Sequence, residues 1–429
     1  MKFKIFTVLL VFLLILLLFL NYSFNAKAAN SNTKPSLFLG VDVSFESVPA
    51  TEQLIDEVSS YTNLFVIGCY GNYNLTRLSI ISQYVFDKGL SFIVYSDSPR
   101  YPSSQWLADA KNTYGDSFLG IYYFDEAGGK QLDQSNYPVV TSATSFNDAA
   151  TKYVQIVNFI LRNGTYGITR NFAYPNEFQL FTSDYSLYWY DYAAGYDAVF
   201  AEFTMNYSQQ LNLDLVRGAA TSQNKDWGAI ITWKYNVAPY MESEPELLSD
   251  MKLAYDNGAK YIIVFDGDQN WTQNILEPGQ LDAIKEFWQY AQSTPRTITP
   301  VSDRTAYVLP VDYAYGFRGP SDRIWGLWNP DSLTDSICRN VSRLMQEYGY
   351  NLDIVYPNGT YPVESLGYKN IFSWNDPRLV DSPSASATNT LTDSQKGVSL
   401  LDIYVFSGTA ATIAIIGGAA MFFKFKRHG

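Results

Sequence analysis

Short apolar runs alternate with longer amphipathic segments along residues 37–292, and this alternation constrains the fold more than any other feature of the chain. The runs are apolar on both faces, which is typical of parallel strands that are covered by helices. Eight runs carry the pattern: 37–45, 64–69, 91–95, 118–125, 177–182, 198–203, 228–233 and 261–266.

Eight consecutive strand–helix units predict an α/β fold with a (β/α)8 TIM-like barrel at residues 36–294. A doubly wound open sheet is the alternative fold. No Gly-rich phosphate-binding loop follows the first run, which counts against a nucleotide-binding version of that sheet.

A small α/β domain is predicted at residues 303–376, after a linker at 295–300 (PRTITP). Between its first strand and its helix lies a long loop, 313–328, that is rich in aromatic residues and glycine. Arg318 and Arg323 in this loop are candidates to reach over the barrel mouth and pair with acids. A plain surface loop is the preferred interpretation.

The two ends of the chain predict export and membrane anchoring. A basic start, an apolar run at 5–20 and a small-residue site predict a signal peptide at 1–29, with an uncleaved anchor as the alternative. The uncharged apolar segment 403–423 is long enough for a transmembrane helix, and the basic tail 424–429 favours a cytoplasmic C-terminus. The predicted location is the cell membrane, single-pass, with the N-terminal part extracellular and a Ser/Thr-rich stalk at 381–399.

Acidic residues outnumber basic ones, with 42 Asp and Glu against 30 Lys and Arg and a formal net charge of −12. This balance argues against nucleic acid as a partner. Aromatic residues make up 16% of the chain, which suits sugar-binding clefts and equally a compositional bias of the lineage. The expected partners are a carbohydrate or glycan, the membrane through the C-terminal helix, and cell-envelope proteins.

The single histidine is His428, in the predicted cytoplasmic tail. An extracellular part without histidine excludes Ser-His-Asp and Cys-His catalysis and histidine-ligated metal sites, and no metal or cofactor is expected. Cys69 and Cys338 are too few for a disulfide framework; one bridge and two buried thiols are both open. Carboxylates are therefore the expected acid–base groups, as in glycoside hydrolysis.

Carboxylates follow several of the predicted strands, at the end where barrel enzymes place their chemistry. Asp125 and Glu126 end the fourth strand and Glu202 ends the sixth, and these three are the predicted catalytic residues, with Glu126 as the expected acid. A carboxylate in an apolar strand is costly unless it is paired or protonated, so acids at one end of several strands predict an acid-lined mouth. Seven further residues are predicted to bind substrate: Asp42, Asp266, Tyr95, Tyr123, Trp233, Tyr235 and Trp271.

These residues also have structural interpretations. Asp42 and Asp97 fit helix caps and turns equally well, and each aromatic residue taken singly fits core packing better than stacking on a sugar. Function is favoured for Asp125 and Glu126, because no helix is predicted to start directly after them, and for Glu202 inside an apolar strand.

Six Asn-x-Ser/Thr sequons make N-glycosylation of an exported chain a further expectation. The sequons begin at Asn74, Asn163, Asn206, Asn270, Asn340 and Asn358.

The order of the units, with acids after strands four and six, resembles glycoside hydrolase-like barrels. The opening segment Gly40–Ser44 (GVDVS) is similar to the first strand of the lysozyme-type glycosidases, which carry an acid–x–acid motif on strand four where this chain has adjacent acids. The segment 308–328 resembles the end of uncharacterised archaeal surface proteins with glycosidase-like TIM barrels. The resemblance implies such a barrel at a cell surface and names no substrate.

Three functions fit the sequence. An anchored glycosidase predicts two carboxyl groups about 5 to 10 Å apart in one cleft. A non-catalytic glycan-binding or envelope-structural barrel predicts acids that are ion-paired or splayed. An adhesion or assembly partner of a surface layer predicts a large exposed apolar patch away from the mouth.

Overall fold

The structure, a computed structural model, describes residues 35–44, 47–68, 74–96, 101–135, 137–163, 179–319, 321–357 and 362–379. The predicted signal peptide, stalk, transmembrane helix and tail lie outside these ranges, as do Asp97, Cys69 and Asn358. Within them, no helix combines the length and the apolar character needed to cross a bilayer. Cys338 is a free thiol.

Eight parallel strands close into a barrel in the order β1 to β8, which confirms the TIM-like barrel and rules out the open sheet. Each strand overlaps its predicted run, because short apolar runs bounded by polar residues are recognisable in the sequence. The strands are β1 (Phe38–Val43), β2 (Leu64–Ile67), β3 (Ser91–Ser96), β4 (Phe118–Tyr123), β5 (Gln179–Asp184), β6 (Ala198–Phe203), β7 (Asp226–Ile231) and β8 (Tyr261–Asp266).

Nine helices follow or separate these strands in the described part of the chain. They are α1 (Val48–Val58), α2 (Leu75–Asp87), α3 (Ser104–Tyr114), α4 (Ala127–Asp133), α5 (Phe146–Asn163), α6 (Tyr188–Ala194), α7 (Gln209–Gln223), α8 (Glu244–Asp256) and α9 (Pro278–Ser293).

Polar side chains set where several helices begin. Ser103 accepts a hydrogen bond from the backbone N–H of Trp106 at 3.2 Å at the start of α3. Before α8, Ser243 and Glu246 form a capping box. Each cap satisfies N–H groups that the first helical turn leaves without a partner, so these residues fix the helix starts locally.

The barrel interior is filled by every second residue of the strands, among them Phe38, Ile93, Tyr122, Phe200 and Ile263. Successive strand residues point to opposite faces, so the intervening residues pack against the surrounding helices. This alternation decides which of the predicted site residues face the inside of the barrel.

A parallel three-stranded sheet follows the barrel, in the order β10-β9-β11. Its elements are β9 (Thr305–Val308), α10 (Ser332–Tyr348), β10 (Leu352–Val355) and β11 (Asn370–Ser373).

This sheet packs on helix α7 of the barrel. A Cβ atom on Gly218 of α7 would lie 2.5 Å from the carbonyl oxygen of Ile354, so only glycine permits this approach. Arg217 of α7 pairs with the buried Asp353 of β10 at 2.7 Å. Close backbone packing and a buried ion pair therefore join the two parts.

Candidate active site

Three acids converge at the carboxyl ends of β4 and β6. One carboxylate oxygen from each of Asp125, Glu126 and Glu202 lies within 4.8 Å of the other two. Glu202 lies on the inner face of β6, two residues after the core residue Phe200, and the other two follow β4 directly. The structure thus brings together all three residues that were predicted as catalytic.

Ser183 of β5 links two of these acids, and sequence reasoning missed it. Its hydroxyl oxygen lies 2.7 Å from Asp125 Oδ1 and 2.5 Å from Glu202 Oε1. Tyr122 also donates to Asp125 Oδ1, at 2.7 Å. A serine hydroxyl has one proton to donate, so the second short contact requires a proton on one of the carboxyl groups.

Glu202 is the acid that best retains this proton. It is only 5% exposed. Burial raises the pKa of Glu202 well above its usual range, and the charges of Glu126 and Asp125 raise it further. The contact with Ser183 and the direction of the pKa shift both favour the protonated form of this carboxyl group.

Glu126 has a cationic partner that Glu202 lacks among the described ion pairs. Lys130 Nζ lies 3.0 Å from Glu126 Oε2 and donates to the carbonyl oxygen of Asp125 at 3.1 Å. The pKa of Glu126 is raised overall, by burial and by the charge of Asp125, and Lys130 offsets part of this rise. Glu126 and Lys130 are four residues apart, a spacing that brings side chains together on a helix. A predicted helix at this place would therefore have identified Lys130 as the partner of Glu126.

The spacing of the three carboxylates would also suit a divalent cation. The ammonium group of Lys130 already neutralises part of their negative charge, which weakens the attraction for such an ion.

The expectation that no helix follows Glu126 is wrong. Helix α4 begins at Ala127, and Glu126 adopts a left-handed conformation with φ 56° and ψ 31°. Its side chain makes no capping hydrogen bond. Asp184 caps α4 instead, accepting from the N–H groups of Gly128 at 2.5 Å and Gly129 at 2.8 Å. The carboxylate of Glu126 is therefore not used as a helix cap.

Strand alternation separates Asp42 from Tyr123, another predicted binding residue. Asp42 lies on the inner face of β1, and burial, then the charges of Asp125 and Asp266, raise its pKa well above the usual range. Tyr123 lies on the outer face of β4 and is buried, whereas its neighbour Tyr122 faces the acids. Asp42 thus faces the barrel interior, as Glu202 does, and Tyr123 packs outside the strands.

Asp266 is fully buried at the end of β8. Its Oδ1 accepts hydrogen bonds from the N–H groups of Ile275 at 2.6 Å and Leu276 at 3.1 Å. Burial raises the pKa of Asp266 to about 6. These contacts anchor the loop after β8 to Asp266, and its role in substrate binding stays a prediction.

Aromatic residues after β7 and β8 form a second cluster at the mouth. The rings of Trp233 and Trp271 stack with centroids 5.9 Å apart and an angle of 22°, and Trp233 donates to the carbonyl oxygen of Gly267 at 2.8 Å. Tyr235, two residues after Trp233, is exposed. Tyr95 lies elsewhere, with its ring edge-on to Tyr122 in the barrel core.

The loop 313–328 is more than a plain surface loop. Arg318 reaches α4 of the barrel, where it pairs with Asp133 at 2.5 Å, and it also pairs with Asp322 at 2.8 Å. Arg318 was a candidate to reach over the mouth and pair with acids. Its pair with Asp133 confirms the pairing with an acid of the barrel. Arg323 donates to the carbonyl oxygen of Leu327 at 3.0 Å, within its own loop.

The sequons differ in their surroundings. Asn74, Asn206 and Asn270 are exposed, and Asn163 ends α5. Asn340 is buried in α10 and its amide nitrogen donates to the hydroxyl of Tyr307 at 3.2 Å. A glycan would attach to that same nitrogen, so the surroundings of Asn340 favour glycosylation less than those of the exposed sequons.

No protein-family description and no curated protein matches the sequence. Among solved structures, the GH5_18 protein of Streptomyces cattleya, in complex with GlcNAc, matches with a TM-score of 0.52 and 11% identity, covering 80% of this chain and 100% of that one. The GH99 endo-alpha-mannosidase of Bacteriodes thetaiotaomicron (TM-score 0.38, 11% identity, 58% and 84% covered) and the beta-mannanase of Mytilus edulis (0.38, 9%, 60% and 92%) are more distant. The first similarity shows that the two chains share the (β/α)8 barrel fold.

Proposed function

We propose that the protein is a membrane-anchored extracellular glycoside hydrolase that cleaves glycans through Glu126 and Glu202. The observation that carries this proposal is the convergence of their carboxyl oxygens within 4.8 Å in two different environments. Glu202 is buried without a described cationic partner, and Glu126 is paired with Lys130. Glycoside hydrolysis needs such a pair, with one carboxyl group protonated and the other ionised.

The environments assign the two roles. Glu202, as the protonated group, donates its proton to the glycosidic oxygen as the bond to the leaving sugar breaks. The ionised Glu126 forms a bond to the anomeric carbon, which gives a glycosyl ester. Glu202 then removes a proton from water, the water oxygen replaces Glu126 on the anomeric carbon, and both groups return to their starting states. This assignment exchanges the role expected for Glu126 from the sequence, because Lys130 stabilises its ionised form.

The separation of the carboxyl groups supports a retaining mechanism. Retaining enzymes hold the two groups about 5 Å apart, whereas inverting enzymes leave about 6.5 to 9.5 Å for a water molecule. One carboxylate oxygen of Glu126 lies within 4.8 Å of one of Glu202, a close approach that favours the retaining spacing over the inverting one.

The proposed location rests on the sequence. The apolar segment 403–423 is followed directly by a basic tail, and the apolar run at 5–20 follows two lysines. Both favour an anchored protein whose barrel is outside the cell, where glycans are the abundant polymers.

A non-catalytic glycan-binding barrel is the second candidate. The ion pair between Lys130 and Glu126 favours it, since a permanently paired acid is also what an architectural site would show. The aromatic residues at the mouth would serve either function.

Hydrolysis of aryl glycosides by the full-length protein in detergent tests the proposal. A panel should include sugars with good leaving groups, such as dinitrophenol, and with poor ones. Glu202→Gln is expected to retain activity on dinitrophenyl glycosides and lose it on poor leaving groups, which need the proton. Glu126→Gln is expected to lose activity on both.

The matched control is Glu286→Gln, which changes an acid on α9 whose side chain is 58% exposed. It is expected to behave like the parent. If Glu126→Gln retained activity on dinitrophenyl glycosides and Glu202→Gln lost it on all substrates, Glu126 would be the acid and Glu202 the nucleophile. Glycan binding without release of sugar by the parent on any substrate would establish the second candidate.

A further inference from the structure

A stacked tyrosine pair lies beside the acids, on loops that leave the same end of the barrel. Tyr185 directly follows β5, and Tyr207 follows β6. Their ring centroids are 5.8 Å apart and their planes differ by 30°. Both residues are half-buried.

The position of Tyr185 is fixed from several directions. A Cβ on Gly129 would lie 2.0 Å from its ring, so the ring lies directly on the backbone of α4. Its hydroxyl donates to Asp133 at 2.8 Å. The guanidinium group of Arg318 lies 5.9 Å from its ring centroid, within the range of a cation–π interaction. Tyr185 therefore serves as a rigid support for Tyr207.

Arg318 comes from the loop that follows the barrel. Its pairs with Asp133 and Asp322 hold its guanidinium group in place. The same loop thus determines how the tyrosine pair is held.

The pair lies within electrostatic reach of the acids. Burial raises the pKa of Tyr207, Arg318 lowers it, and the charges of Asp133 and Glu202 raise it. The pKa of Tyr185 is raised by burial, then by Asp133 and Glu126. The contact of the Tyr185 ring with Gly129, three residues after Glu126, places the pair beside these acids.

We propose that Tyr207, supported by Tyr185 and held by Arg318, is a subsite that binds a sugar ring of the glycan next to the bond that is cleaved. This inference rests on the proposed function. A rigid aromatic face with a polar tip, beside a polar reaction centre, is the surface that binding sites use for amphipathic ligands such as sugars. The loop 313–328 would then contribute to substrate specificity, although it lies outside the barrel.

Binding should be measured by calorimetry with the full-length Glu202→Gln protein, using chitopentaose and mannopentaose as probes. In the Glu202→Gln background, Tyr207→Ala is expected to raise the Kd about 3- to 10-fold. Tyr207→Phe, which keeps the ring, is expected to have little effect on the Kd. Tyr207→Leu keeps apolar volume without the ring and should resemble the alanine variant. Tyr350→Ala, an exposed tyrosine after α10, is the matched control.

Kinetics of the otherwise unchanged enzyme separate binding from chemistry. Tyr207→Ala and Arg318→Lys are expected to raise KM with kcat nearly unchanged, because a subsite that holds substrate and transition state equally affects binding alone. Lysine cannot reproduce the planar fork of Arg318. An unchanged Kd and KM in Tyr207→Ala, in a protein that still hydrolyses glycans, would overturn the subsite alone. No binding and no hydrolysis by the parent would overturn the proposed function with it.

Discussion

The buried carboxylate of Asp353 allows a quantitative expectation. It is fully buried on β10, and it accepts hydrogen bonds from Arg217 at 2.7 Å, Arg304 at 2.7 Å and Tyr368 at 2.8 Å. Asp353→Ala would leave two buried guanidinium groups without this partner. Removing one member of a buried ion pair costs about 3 to 5 kcal/mol. Arg217 keeps a second acid, Asp214, at 3.7 Å, so we expect the lower end, about 3 kcal/mol.

Urea unfolding of the detergent-solubilised protein, followed by tryptophan fluorescence, measures this change as a lower midpoint at similar slope. The control is Asp335→Ala, which breaks an ion pair with Arg339 on the exposed face of α10. Exposed pairs contribute at most about 1 kcal/mol, so the control midpoint should hardly move. A loss of less than about 1 kcal/mol in Asp353→Ala would refute the view that this network joins the sheet to the barrel.

Three further changes test other parts of the structure. Gly129→Ala places a Cβ 2.0 Å from the Tyr185 ring and is expected to lower stability by about 1 to 3 kcal/mol; an unchanged Tm would contradict this close approach. Burial raises the pKa of Glu242 to about 8 from an ordinary 4.5, so its contribution to stability is present below about pH 4.5 and is lost as the pH rises towards 8. Glu242→Gln is therefore expected to leave Tm nearly unchanged at pH 5 and to stabilise the protein by about 1 to 3 kcal/mol at pH 8, and parallel curves of Tm against pH would contradict this. Ser183→Ala removes the hydroxyl between two acids and is expected to lower kcat about 10- to 100-fold with little change in KM; a parental kcat would show that this bridge does not position Glu202.

The barrel could be predicted from the sequence because its strands are continuous apolar runs, a pattern that needs no knowledge of distant contacts. Helix α4 was missed because it is short and contains Gly128 and Gly129, which have low helix propensity. The two glycines are required by contacts with Asp184 and with the Tyr185 ring. Both of these residues belong to the next strand unit, so the sequence around the helix does not show the reason for the glycines.

The acids of the candidate site could be predicted because a carboxylate at the end of an apolar strand stands out. Their partners could not. The predicted fifth strand ends at Thr182, one residue before Ser183, whereas the strand continues to Asp184. The sequence therefore does not indicate that Ser183 contacts both Asp125 and Glu202. Tyr122, which faces the acids, could not be distinguished from Tyr123, because the sequence of a strand buried on both faces does not show which residues point inward.

The central claim is that Glu126 and Glu202 hydrolyse a glycosidic bond with retention. The most direct measurement is proton NMR of the anomer that the full-length protein first releases from an aryl glycoside that it cleaves, before mutarotation. We expect a first product with the configuration of the substrate, and no product from the Glu126→Gln variant. A first product of inverted configuration, or unchanged release by Glu126→Gln, would contradict the account.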